Sequence, residues 1–316
     1  MARTRPLPEV AAAIDIGSYS VHLLVAEVWR HRLEMRLDES AYLGLGRELD
    51  VGGALEPARE RLVETLSALV GRARAIGAET ITIVGTDPLR RASDAGAVIA
   101  EIRAATGVDV EVLSHEEEAL AALIGVQAGR PVLRDVAVID AGGGSTEVLV
   151  TGPSRDPIAV GLPLGVTRLT GRYVKSDPPT PAQVRALTAR VRAAMRMAPD
   201  AQPALLMAVG GTARNLLRVG PPLVNRTLTK RRIRRALRVI EAAPAEVTAE
   251  RYTIKLSRAK VLAAGAAILL AALDRYRLDR LSVARGGLRE GLILAAHQGG
   301  PDWRSQIRDL ARGWDR

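Results

Sequence analysis

The chain has 316 residues, 47% hydrophobic and 25% charged, enough apolar material for two globular domains with a core each. The absence of Cys excludes disulfides, thiolate metal sites and cysteine nucleophiles, and suits a reducing cytoplasm. A net charge of +10, carried almost wholly by Arg, favours polyanionic partners, although an arginine-favouring base composition explains the same excess.

At the N-terminus, Arg3 and Arg5 precede an apolar stretch that Asp15 interrupts, which reads as a first strand rather than a leader peptide. Part of it, IDIGSYSVHLLV from Ile14, returns as IDAGGGSTEVLV from Ile139, an offset of 125 residues. The offset pairs Asp15 with Asp140, Gly17 with Gly142 and Ser20 with Ser145. Each copy predicts a buried strand ending at an aspartate, a glycine-bearing turn and a second apolar strand. Such a hairpin offers backbone N–H groups and small hydroxyls to an anion. Two copies imply two similar halves that clamp a phosphorylated ligand.

Further along, Leu62, Val63, Leu66, Leu69 and Val70 recur at helical spacing within residues 56–76. Residues 80–84 (TITIV) read as a strand entering GTDPLRR, followed by a helix through Val98 and Ile102. A strand at 108–113, a helix at 116–127 and a crossover at 129–135 complete the first half. The second half begins with a strand at 136–140 and the GGGST turn. KSDPPTPAQ caps a helix through Val184, Leu187 and Val191. A strand at 205–209 enters Gly210, Gly211 and Thr212. A basic helix starts at Lys230, and a strand at 281–283 leads into GGLREG, read as a turn. The apolar run 261–273 has 13 residues, short of the roughly 20 that span a membrane, so it predicts a buried core helix and no membrane span. This alternation of strand and helix predicts an α/β fold with helices on both sheet faces.

Three glycine turns follow apolar strands, where α/β sheets bind ligands: Gly17 with Ser18, Tyr19 and Ser20; Gly142, Gly143 and Gly144 with Ser145; and Gly210, Gly211 and Thr212. Asp15 and Asp140 precede two of them. A carboxylate beside bound phosphate needs a hard cation between them, which predicts Mg²⁺. Glu147 starts an outgoing strand near its turn, and Glu118 lies beside a small apolar run that turns it inward. Glu116 and Glu117 are read as helix-start charges, and Arg90 as a candidate phosphate clamp. The four His lack metal-ligand spacing and read as ordinary surface or packing residues. GGSTE lacks the second glycine of a nucleophile elbow. KRRIRRALR reads as a solvated helix face in preference to a polyanion landing strip, and its lack of aromatics argues against binding of single-stranded nucleic acid.

Taken in order, AAIDIGSYSVHLLVAE, YLGLGRELD, IVGTDPLRRASD, GVDVEVLSHEEEA, VIDAGGGSTEV, PLGVTRLTGRY, AVGGTARNLL and GGLREGLIL resemble the exopolyphosphatase and guanosine pentaphosphate phosphohydrolase family, of the actin, sugar kinase and Hsp70 superfamily. The resemblance implies two ribonuclease H-like (actin-like ATPase) α/β domains with an interdomain cleft. It places an N-terminal domain over 1–127, rejoined by a helix at about 301–316, and a C-terminal domain over 128–300. It assigns Glu118 to activating the attacking water and Asp140 and Glu147, helped by Asp15, to Mg²⁺, with Mn²⁺ as a substitute. The three glycine turns and Arg90 are assigned to phosphate. The substrate implied is inorganic polyphosphate, or guanosine pentaphosphate, and a non-catalytic sensor of either is a third reading. A cytoplasmic homodimer without membrane or nucleic-acid partners completes the expectation. The chain departs from the family at Tyr19 (usually Asn), at Asp87 and Pro88, at Leu120 (commonly Arg) and at Lys260 (commonly Asp).

Overall fold

The structure, a computed structural model, describes residues 8–29, 31–222 and 225–314; Arg3 and Arg5 lie outside the described residues. It divides into two units, one of residues 1–131 with 286–316, the other of residues 132–285.

In the first unit, β1 (Glu9–Ile16), β2 (Ser20–Trp29) and β3 (Arg32–Tyr42) form an antiparallel meander followed by α1 (Leu45–Gly52). Next come α2 (Arg59–Ala75), β4 (Thr80–Gly85), α3 (Asp87–Arg91), α4 (Ala95–Thr106), β5 (Val110–Val112) and α5 (His115–Gln127). The sheet order is β3–β2–β1–β4–β5, with β4 and β5 parallel to β1. Alternation sends Ile14, Ile16, Leu23 and Val25 to one face, where Leu62 and Leu66 of α2 and Val98 and Ile102 of α4 cover them.

The second unit repeats the plan. β6 (Val136–Ala141), β7 (Thr146–Gly152) and β8 (Arg155–Leu162) form its meander, followed by α6 (Val166–Tyr173), α7 (Pro181–Met195), β9 (Leu205–Val209) and α8 (Gly210–Arg218). Then follow β10 (Thr227–Thr229), α9 (Lys230–Ala242), α10 (Ala245–Arg251), α11 (Leu256–Ala259), α12 (Leu262–Arg275) and β11 (Arg280–Val283). The sheet order is β8–β7–β6–β9–β11–β10. The apolar run becomes α12, whose residues are almost all buried, and α7, α8 and α9 pack on it.

The chain returns to the first unit at Gly286, earlier than the expected residue 301. The reason lies in GGLREG, which is not a turn beyond Gly286 and Gly287: α13 (Leu288–Gly299) starts at Leu288 and packs on α5, β1 and β2. A Cβ at Gly291 would lie 1.7 Å from the Ala121 carbonyl oxygen, and one at Gly286 2.2 Å from that of Gly125. These glycines let two backbones touch. Buried Arg289 donates to the Leu23 carbonyl at 3.1 Å and to Asp38 at 2.6 Å. The last segment, with α14 (Ile307–Leu310), ends with the Trp314 N–H donating to the Gly129 carbonyl at 3.0 Å. Arg304 and Arg308 pair with Glu117 and Glu116, and Ser114 and Glu117 close a capping box on α5, so both glutamates are structural.

Candidate functional site

In the first unit, pairing of β1 with β2 sets Asp15 opposite His22. The Gly17 N–H donates to the Ser20 carbonyl at 3.2 Å, closing the turn. Ser18 and Tyr19 back it: the Ser18 carbonyl accepts from the Gly46 N–H at 2.8 Å and that of Tyr19 from Gly44 at 3.1 Å, so the start of α1 braces the turn from behind. Tyr19 is buried edge-on against Tyr42, ring centroids 4.9 Å apart. The Ser18 hydroxyl donates to buried Asp87 at 2.7 Å, and Arg91 donates to the same carboxylate oxygen at 3.1 Å. Asp87 therefore helps to order the turn of Gly17, Ser18, Tyr19 and Ser20 that the sequence reading assigned to phosphate.

Glu118, one turn into α5, is only 8% exposed. Arg90 on α3 donates to its Oε2 at 2.8 Å and to the Leu113 carbonyl at 2.8 Å. A second Arg90 nitrogen donates to His115 Nδ1 at 3.1 Å. Burial and the neighbouring Arg90 hold the His115 pKa below its ordinary value, against the pull of Glu118 and Asp87. His115 thus belongs to the Arg90–Glu118 cluster, a placement that His spacing alone did not signal. His297 behaves as a structural partner of Glu9 at 2.7 Å, and His31 stacks on Trp314.

In the second unit the same register sets Asp140 opposite Glu147 and Ala141 opposite Thr146. Residues directly opposite in an antiparallel pair share a face, so Asp140 and Glu147 start from the same side of the sheet next to the turn. Glu147 is 2% exposed. Burial pushes the Asp140 carboxyl up to about 6, against Arg214 and Arg258. Both carboxylates are hard oxygen donors on one sheet face, the donor type that suits Mg²⁺ or Mn²⁺. Gly142 repeats Gly17, since a Cβ there would lie 3.1 Å from the Ser145 carbonyl oxygen. The carbonyls of Gly142 and Gly143 accept from Val166 and Thr167 at 2.9 and 3.0 Å, so α6 braces this turn as α1 braces the other. That contact needs Gly165, whose Cβ would meet the Gly144 backbone at 2.3 Å, while the Gly144 carbonyl accepts from Arg168 at 3.4 Å.

The third turn opens α8. Gly210 has a positive φ of 79°, and a Cβ there would lie 2.7 Å from Asp140 Oδ1, so only glycine leaves room for that carboxylate. Gly211 lies against Arg258, and the Thr212 hydroxyl donates to the Ala141 carbonyl at 2.7 Å. The first unit holds the counterpart: the Thr86 hydroxyl donates to the Ile16 carbonyl at 3.1 Å. This Gly–Thr device extends the internal repeat beyond the hairpins and was legible in GTDPL and GGTAR. Of the departures from the family pattern, Leu120 is fully buried core, and Lys260 follows α11 just before α12.

The model of the Ppx/GppA phosphatase family matches residues 24–298. Exopolyphosphatase 1 of Mycobacterium tuberculosis is 30% identical, over 89% of this chain and 86% of its own length. The guanosine-5'-triphosphate,3'-diphosphate pyrophosphatase of Vibrio cholerae is 27% identical, over 89% of this chain but 58% of its own length. The crystal structure of the Aquifex aeolicus Ppx/GppA family member superposes with a TM-score of 0.79 at 27% identity, covering 93% of this chain and 99% of that one. With a family match over most of its length and this agreement in fold, the chain belongs to the Ppx/GppA phosphatase family.

Proposed function

We propose that the chain is a Mg²⁺-dependent exopolyphosphatase, releasing terminal orthophosphate from inorganic polyphosphate by direct attack of water. The observation that carries this reading is the Asp140–Glu147 pair, set by strand register at the mouth of a glycine turn. Inorganic polyphosphate is preferred over guanosine pentaphosphate because this chain matches nearly the whole of Exopolyphosphatase 1, whereas the guanosine-directed relative extends well beyond the match.

In this reading Glu118 orients the attacking water and accepts its proton as the new P–O bond forms. Arg90 fixes the Glu118 carboxylate. The bridging P–O bond breaks, and the shortened chain leaves with the electron pair on its terminal oxygen. Backbone N–H groups of the turns at Gly17, Gly142 and Gly210 donate to phosphoryl oxygens and are held in place before the reaction. Asp140 and Glu147, with Asp15, would hold the Mg²⁺, which when bound neutralises charge on those oxygens.

Phosphate release from polyphosphate should require Mg²⁺ and fall at least ~100-fold in Glu118→Ala, the scale for loss of a general base. An unchanged rate would remove Glu118 from this role. Offered both substrates together, the enzyme should prefer polyphosphate. A strong preference for guanosine pentaphosphate would reverse the order, and tight binding without release across several divalent metals would favour the sensor reading.

A further inference from the structure

The two units differ sharply in charge. Residues 132–285 carry 26 Lys and Arg against 11 Asp and Glu, whereas the rest of the chain carries 19 against 24. The chain's excess positive charge therefore belongs to the second unit.

Its densest part is α9, where six basic residues have two distinct fates. Lys230 pairs with Asp274 at 2.9 Å, and Arg232 donates to the carbonyls of Leu217 and Pro221 at 3.0 and 2.7 Å, so these two are structural. Arg231, Arg234, Arg235 and Arg238 are exposed and make no ion pair or hydrogen bond to any other described residue. Their spacing of three, four and seven places them on one stripe, opposite buried Ile233, Ala236 and Ile240. On α2, by contrast, exposed arginines have acidic partners, in Arg59–Glu101, Arg61–Glu48 and Arg72–Glu39. Like charges at i and i+4 destabilise a helix, so the stripe works against the stability of α9.

We propose that this stripe is an exosite for the body of a linear polyphosphate chain, away from the end being hydrolysed. The stripe runs about 10 Å along the helix, long enough to engage several consecutive phosphates. Guanidinium groups grip phosphate oxygens in pairs. The Lys230 N–H donates to the Asp279 carbonyl, just ahead of β11, so α9 starts at the sheet end opposite the glycine turns. α9 has no aromatic side chain on which a base could stack, which favours polyphosphate over nucleic acid. A remote contact of this kind raises the local concentration of long chains and leaves short ones unaffected. The occupant's identity rests on the polyphosphate reading above; the binding arm of the test does not.

The test compares the full chain with a variant carrying Arg231→Ala, Arg234→Ala, Arg235→Ala and Arg238→Ala, and with the four-fold Arg→Lys variant. Thermal melting of the Ala variant should be unchanged or raised, because repulsion is relieved and Ala favours helix. KM for long-chain polyphosphate should rise about tenfold or more in the Ala variant, with kcat and all tripolyphosphate kinetics unchanged, and Arg→Lys should restore most of the loss. Binding of labelled long-chain polyphosphate should weaken in parallel, with a salt-dependence slope shallower by about three. Unchanged long-chain KM and binding, or equal losses on long chains and tripolyphosphate, would overturn the exosite. Single-stranded DNA displacing polyphosphate at equal charge would overturn polyphosphate as its occupant. Loss of long-chain binding in the Ala variant of a chain that hydrolyses nothing would uphold the exosite while rejecting the proposed function.

Discussion

The β1–β2 and β6–β7 hairpins are built alike and differ where it matters. Both place an aspartate next to the last residue of the first strand, close a turn on Gly17 or Gly142, and are braced by the helix after the third strand. Opposite Asp15 stands His22; opposite Asp140 stands Glu147. A histidine and a carboxylate on one face attract when both are charged, whereas two charged carboxylates on one face repel unless a cation joins them. In the proposed function, this repeated scaffold would offer phosphate-holding backbone in both copies and a second carboxylate for a cation only in the second.

The largest expected effect comes from undoing that difference. Glu147→Gln removes the second carboxylate while preserving shape, and phosphate release from polyphosphate should drop ~100-fold or more, at or beyond the range seen for outer partners of metal ligands. A loss under about threefold would show that the pair is not what separates the hairpins.

A pH series sharpens the same contrast. Burial raises the Asp140 carboxyl to about 6 from an ordinary 3.8. Between those values the folded metal-free chain binds more protons than the unfolded chain, so its stability should fall as pH rises through that window. Mg²⁺ needs the carboxylate, so stabilisation by Mg²⁺ should grow as pH rises through about 6. Thermal melts with and without Mg²⁺ should show both slopes in the wild type and neither in Asp140→Asn. Slopes that persist in the variant would assign them to another group.

The smallest effect belongs to the first turn's support. Ser18→Ala deletes the donor to Asp87 but leaves Arg91 in place. It should cost about 1 kcal/mol in denaturant unfolding. A cost below the measurement error would mean that Asp87 does not order the turn.

Much of this was readable in the chain. The IDIG and IDAGGG repeat located both hairpins, and the 13-residue apolar run became the core helix α12. β3 escaped notice because it is an edge strand with mostly polar, exposed residues, although Leu33, Met35 and Leu37 alternate as a strand should. GGLREG misled because its glycines serve backbone contact between α5 and α13, a need that no local pattern reveals. His115 was passed over because Arg90 reaches it only through tertiary packing, although Glu118 stands three residues on in the same helix. Four of the five α9 arginines are exposed, as a solvated helix face expects, and half-buried Arg232 is the exception; that the four lack acidic partners only emerges once the acids around them are located.

The central claim, that Glu147 gives the second hairpin a cation ligand which the first lacks at His22, is tested most directly by Mn²⁺ electron paramagnetic resonance in the presence of imidodiphosphate. The account predicts bound Mn²⁺ in the wild type, little change in His22→Gln, and loss of the bound signal in Glu147→Gln. Retention of Mn²⁺ by Glu147→Gln together with its loss in His22→Gln would contradict it.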